Sequence, residues 1–273
     1  MSNKPLLLDS ITDANAESAG RLVVSGSHGG IYPAAVASQW DIRAVLFNDA
    51  GIGFEDAGVA GVLKLAAVGM AAAAMDCHTC RIGSATDAIE RGRISVVNAV
   101  AKTLGIAEGM NVTETVDRLT DTPAPTGKLP PVPEARSITT LPTSRHVIHL
   151  LDSASLVTSD DAGEIVITGS HGGLIGGDPA RALKAAAQIA VFNDAGVGVD
   201  GIGVTRLPAL GGRGIAAVTI DCHTARIGDA ASTLETGVIS HVNQTAEAYG
   251  AQEGFTLRSW LEIVPEVRPT SIL

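Results

Sequence analysis

Short uninterrupted apolar runs recur along the chain: Leu22-Val23-Val24, Ala44-Val45-Leu46-Phe47 and the stretch 71–75. Runs of this length and kind mark strands covered on both faces. Between them lie segments of mixed polarity long enough for helices, at 33–39, 57–68 and 87–104. Strands alternating with helices predict parallel βαβ crossovers, and Leu6-Leu7-Leu8 adds a fourth strand to the sheet.

The same pattern then starts again. GRLVVSGSHGG at 20–30 returns as GEIVITGSHGG at 163–173, FNDAG at 47–51 returns at 192–196, and DCHTCRIG at 76–83 returns as DCHTARIG at 221–228. LDS at 8–10 matches 151–153, and ISVVN at 94–98 matches ISHVN at 239–243. A repeat this long is a domain rather than a solenoid unit. The expected architecture is two tandem, homologous three-layer α/β units with parallel sheets, flavodoxin-like or Rossmann-like, related by a pseudo-twofold. They are expected at 1–120 and 147–273. The intervening 121–146 carries Pro123, Pro125, Pro130, Pro131, Pro133 and Pro142, half of the chain's 12 prolines, and reads as a semi-extended linker. A unit of this kind standing alone would dimerise, and the chain is expected to form homo-oligomers.

Composition narrows the picture. Of 273 residues 45% are apolar and only 3% aromatic, with 31 glycines, so layers must pack through small side chains. The net charge of −10 opposes binding to nucleic acid or an anionic membrane, because no cluster of Lys and Arg is available for phosphates. The N-terminal MSNKP carries no signal-like apolar run, and the low-polarity stretch 65–75 is too short to span a bilayer. A cytoplasmic location is expected. Three cysteines, Cys77, Cys80 and Cys222, read as free thiols.

Every repeated polar motif falls just after a predicted strand, at the carboxyl edge where ligands of open parallel sheets bind. Ser27, His28, Gly29 and Gly30, with Ser170, His171, Gly172 and Gly173, read as a backbone N–H cradle for an oxyanion beside a proton carrier, or simply as a tight turn. The spacing is neither a dinucleotide fingerprint nor a phosphate loop. Asn48 and Asp49, with Asn193 and Asp194, read as a helix cap or as groups that orient an imidazole. Asp76 and His78, with Asp221 and His223, are two apart at a strand end and share a face, with Cys77 and Cys222 pointing opposite. Arg81 and Arg226 follow in the loop before the next helix, where a guanidinium fork suits a carboxylate. His241 has Val96 as its counterpart and reads as a helix-surface residue.

The succession strand, Ser-His-Gly, strand, Asp-Ala-Gly resembles the strand-end pattern of caspase-type cysteine peptidases. Gly51 and Gly196 stand where that family's nucleophile would be, and no family is assigned on it. The reading reached is a cofactor-independent acid–base enzyme, a hydrolase of a small carboxylate-bearing metabolite. His28, His78, His171 and His223 handle protons, Asp49, Asp76, Asp194 and Asp221 orient them, and Arg81 and Arg226 anchor charge. One alternative is a racemase or isomerase using Cys77 and Cys222, which resembles in arrangement the aspartate/glutamate racemase superfamily. Others are a small-acid binding module, and a divalent cation held by His28, Asp49, Asp76 and His78.

Overall fold

A computed structural model describes residues 4–141 and 146–264. Two compact units form, each around its own sheet. The first holds the chain through Pro133 together with Ile175–Gly177 and Ala195–Gly203, and the second takes Glu134–Leu174, Asp178–Asp194 and the chain from Val204 onward. Among the described residues no helix is long and apolar enough to cross a membrane.

In the first unit, strands β1 (Leu6–Leu8), β2 (Leu22–His28), β3 (Ala44–Asn48) and β4 (Ala71–Met75) run parallel in chain order, and β5 (Ile94–Val97) closes the sheet antiparallel to β4. Because side chains alternate along a strand, each strand feeds two cores. Val23, Val45 and Ala72 face Ala34 and Ala37 of α1 (Ile31–Gln39) and Val62 of α2 (Ala60–Lys64). Val24, Leu46 and Ala73 face the other layer, made by α3 (Ala85–Arg91), α4 (Ala99–Thr103) and α5 (Val112–Leu119). This is the three-layer arrangement that the buried apolar runs require.

Small residues set the spacing of the layers. A methyl group on Gly61 would lie 2.0 Å from the Gly30 carbonyl oxygen, so α2 can approach the start of α1 only through glycine. The expected single helix over 87–104 is instead α3, then β5, then α4. Gly92 ends α3, where a Cβ would sit 2.5 Å from Ala88 O, and the β-branched Ile94, Val96 and Val97 favour extension after it. Asn98 then holds the strand edge to the helix layer: Oδ1 accepts from Ala101 N and Ala72 N, and Nδ2 donates to Val62 O and Met70 O. Asn98 is 1% exposed, and Asn98→Ala would strand these groups without water. Its expected cost is about 2–4 kcal/mol in urea unfolding, and an unchanged midpoint would contradict this reading of its role.

The second unit orders β6 (Arg136–Thr139), β7 (Ile148–Leu151), β8 (Ile165–His171), β9 (Ile189–Asn193), β10 (Ala216–Ile220) and β11 (Ile239–Val242). The middle four are parallel and the two outer strands antiparallel. Its helices are α6 (Arg206–Gly211), α7 (Ala230–Thr236), α8 (Gln244–Ala248) and α9 (Leu257–Leu261). His241 therefore lies on a strand, not a helix. Where the first unit has α1 after β2, the chain after β8 has only short turns, Ile175–Gly177, which belongs to the first unit, and Pro179–Arg181 in the second. Gly176 and Gly177 adopt positive φ there, and Pro179 follows.

The proline-rich stretch is docked rather than free. Thr126 N donates to Val68 O and Leu129 N to Ser38 Oγ in the first unit, while Arg136–Thr139 pairs with β7 in the second. Pro142 lies outside the described residues. Arg136 forks onto the fully buried Asp161, which also meets His149 Nδ1. Burial alone would raise the Asp161 carboxyl, but the Arg136 guanidinium and the Thr158 N–H hold it well below the usual carboxylate range.

Candidate functional site

In the first unit the strand-end motifs converge on Asp49. Its Oδ1 accepts from Gly51 N and Cys77 N, both at 3.0 Å, and its Oδ2 accepts from Ser95 Oγ at 2.7 Å. The carboxylate, 4% exposed, thus ties the ends of β3 and β4 to β5. After it Ala50, Gly51, Ile52 and Gly53 all adopt positive φ, as do Ala195, Gly196, Val197 and Gly198 after Asp194. Ile52 at 62° and Val197 at 60° are β-branched residues in a region that disfavours them. Strain of this kind persists only where surrounding bonds fix the backbone, and it gathers at working sites.

Residues 76–79 form a turn, not the end of an extended strand, and this corrects the expected facing of the side chains. Asp76 and His78 do meet: His78 Nδ1 lies 3.1 Å from Asp76 Oδ1, and His78 N donates to the same oxygen at 2.8 Å. Cys77, however, does not point away, since its Sγ lies 3.4 Å from the same His78 Nδ1. The His78 side chain is 70% exposed and that of Asp76 36%, whereas Cys77 is 1% exposed. Burial, followed by the Asp49 carboxylate, pushes the Cys77 thiol far above its ordinary value, so it carries its proton at neutral pH. His78 Nδ1 thus stands between the Asp76 carboxylate and the Cys77 thiol, and with its proton on Nδ1, toward the charged acceptor, the ring would leave Nε2 as a lone pair.

The glycine-rich motif takes a different part. His28 ends β2 with Nδ1 accepting from Gly30 N at 3.2 Å, and burial lowers its pKa to about 4. It is a neutral ring whose Nε2 bears the proton, suited to donating and not to acting as a base. Gly30 must lack a side chain, since a Cβ would lie 2.7 Å from His28 Nδ1. Ser27 Oγ is taken by Ile11 N, Gly29 bonds back to Asn48 O, and Asn48 Nδ2 holds Cys80 O. These are bonds within the edge and not a cradle open to ligand.

Arg81 is not a free anchor either. Its Nη2 donates to Asp200 Oδ2 at 2.7 Å, Arg91 Nη2 joins the same oxygen at 2.8 Å, and Asp87 lies beside both. Asp200 belongs to Ala195–Gly203, which closes over the Asp76 turn within the first unit. Val199 N donates to Cys77 O, and a Cβ on Gly196 would sit 3.1 Å from Cys77 Sγ.

The second unit repeats part of this set. Asp194 Oδ1 accepts from Cys222 N at 3.0 Å, His223 N donates to Asp221 Oδ1 at 2.9 Å, and Asn193 Nδ2 holds Ala225 O. The His223 ring lies near Asp221 without a hydrogen bond to it, so the acid–imidazole pair is formed only in the first unit. His171 is 8% exposed, with Nδ1 accepting from Gly173 N, and Ser170 Oγ is taken by Ala154 N. Arg226 pairs with Asp229.

Ligand atoms of Asp76, Cys77 and His78 lie within 4.8 Å of one another, as do those of Asp221, Cys222 and His223. A carboxylate, thiol and imidazole suit a zinc-like cation, but His28 and Asp49 join neither group, so the four-residue set expected from the sequence is not assembled. A cavity of about 530 Å³ between α6 and α8 is lined by Leu207, Gly211, Val242 and Asn243 among others. It contains no charged side chain and lies beside Asn243, whose Oδ1 accepts from Ala217 N at the opening end of β10, away from the motifs.

Sequence reasoning missed three residues. Ser95 was legible only as part of the repeated Ile-Ser pair, while Asp200 and Arg206 carry no local signal. The three cysteines, each at most 2% exposed, are expected to react with a thiol reagent at least ~10³-fold more slowly than a free thiol at pH 8. Cys80, pushed up to about 12 by burial and by Asp87, should be among the slow ones, and one fast-labelling thiol in the native chain would contradict the packing. No protein-family model, curated protein or solved structure matches this chain.

Proposed function

We propose that this chain is an acid–base hydrolase of a small carboxylate-bearing metabolite, with His78 as the base and Asp76 as its orienting partner. The observation that carries the reading is the 3.1 Å contact between His78 Nδ1 and Asp76 Oδ1 on a ring left open to solvent. An imidazole with Nδ1–H committed to a carboxylate presents Nε2 to water. In the proposed reaction Nε2 takes a proton from water, the water oxygen bonds to the substrate carbonyl carbon, and the proton passes to the leaving group as its bond breaks. We read the two units as duplicates of one ancestral fold, with Asp221 and His223 in the corresponding roles.

The raised Cys77 thiol favours hydrolysis over the two-cysteine isomerase, which needs a thiolate base at neutral pH. A panel of small carboxylate-bearing esters, amides and lactones in deuterated water tests this choice. The expected result is hydrolysis with no deuterium at carbon in recovered substrate, and Cys77→Ser within about tenfold of the parent. Deuterium at carbon, with activity lost in Cys77→Ser, would overturn the hydrolase in favour of the isomerase.

A further inference from the structure

We propose that the second unit binds a small oxyanion, the carboxylate of its substrate, on the guanidinium of Arg206 with Arg181 as the outer cation. The inference deepens the hydrolase reading by naming what holds the charge of a substrate in the second unit, where Asp221 and His223 take the corresponding roles, and it rests on that reading only for the identity of the ligand.

Arg81, Arg91, Arg118, Arg136 and Arg226 each pair with an acid. Arg206 is 3% exposed and has no carboxylate partner among the described residues. Its Nε donates to Gly173 O at 3.1 Å, its Nη1 to Ala182 O, and its guanidinium lies 5.0 Å from the centre of the Phe192 ring. These contacts orient the fork but leave its charge unanswered, and a desolvated charge without a counter-ion is costly.

Nη2 makes no hydrogen bond among the described residues. It is also not one of the unpartnered atoms sealed from solvent, which among the described residues are Arg43 Nε, Gln188 Nε2 and His241 Nδ1. One donor of a side chain otherwise buried therefore keeps some contact with solvent. Exposed Arg181 precedes Ala182, whose carbonyl holds Nη1, and its charge is felt at Arg206. Burial, with the repulsion of Arg181, lowers Arg206 to about 10, and it stays charged at neutral pH. An oxyanion between the two would relieve the repulsion and satisfy Nη2 by a charge-assisted bond.

The place fits the motif edge. Arg206 N donates to Gly172 O and Nε to Gly173 O, so the fork is fixed to the Ser170–Gly173 motif next to His171. The first unit has no equivalent. By the spacing that aligns Asp49 with Asp194, the counterpart of Arg206 is Gly61, where even a methyl group would meet Gly30 O at 2.0 Å. One anion site per chain follows.

Calorimetry on the full chain with malonate and with inorganic phosphate, at constant ionic strength against a chloride control, reads the site without any need for turnover. The expected result is saturable malonate binding, one equivalent per chain, weakened roughly tenfold by Arg181→Ala and more by Arg206→Lys. Arg181 is exposed on a short turn, so its variant keeps the test intact if Arg206→Lys fails to fold. No saturable malonate binding, two equivalents per chain, or unchanged affinity in Arg181→Ala would overturn the proposal. Saturation by phosphate alone would overturn the carboxylate assignment. Loss of anion binding with hydrolysis intact would sink this site alone, whereas anion binding without hydrolysis would sink the enzymatic reading and leave the site.

Discussion

Asp49→Ala is expected to lower the stability of the first unit by roughly 3–5 kcal/mol, the largest effect of any single truncation at the strand edge. The carboxylate receives three donors, from Gly51 N, Cys77 N and Ser95 Oγ, in a site 4% exposed. Removing it leaves the buried Cys77 amide and the part-buried Gly51 amide without partners and releases a backbone held at positive φ through Ala50 and Ile52. Asp49→Asn keeps one acceptor and should cost less, about 1–2 kcal/mol. The two tryptophans make the measurement unit-specific, since Trp40 lies in the first unit and Trp260 in the second. With Trp260→Phe as background, Trp40 fluorescence in urea should shift its midpoint strongly for Asp49→Ala. A shift below about 0.5 kcal/mol would show that the carboxylate is not the tie described.

His78→Ala should reduce hydrolysis by about 10²–10⁴-fold, the usual contribution of a positioned general base. The side chain is 70% exposed, so the fold should be unchanged and the loss should appear in kcat rather than in the unfolding curve. Asp76→Asn should fall in between, because the amide can donate to Nδ1 and thereby favour the wrong tautomer. His223→Ala should cost less than His78→Ala, since the second unit does not form the ring bond to its carboxylate. Equal loss in the two variants would mean that the units work alike and that this difference in geometry does not matter.

Much of the scaffold could be read from the chain. The apolar runs located β2, β3 and β4, and Leu6–Leu8 the first strand, because strands buried on both faces leave a continuous signature. β5 was hidden because Ile94-Ser-Val-Val is short and sits between helix-forming segments, so only Gly92 and the β-branched residues marked it. The site was legible in part. Repetition pointed to Asp49, Asp76 and His78, but it pointed equally to Ser27, Asn48 and Asn98, whose hydrogen bonds stitch the edge together. A motif that recurs can carry stitching as readily as chemistry. Arg81 looked like an anchor because its partner Asp200 is remote in sequence, and Arg206 carried no signal because its burial without a carboxylate partner among the described residues is not written in its neighbours.

The proposed mechanism turns on which nitrogen of His78 carries the proton. Nitrogen-15 NMR of the histidine rings at neutral pH, assigned by comparison with His78→Ala, measures it directly. The geometry predicts the less common Nδ1–H tautomer, with Nδ1 bonded to Asp76 and Nε2 unprotonated. An Nε2–H ring, with Nδ1 accepting from Cys77 instead, would contradict it, since that imidazole presents no base to water.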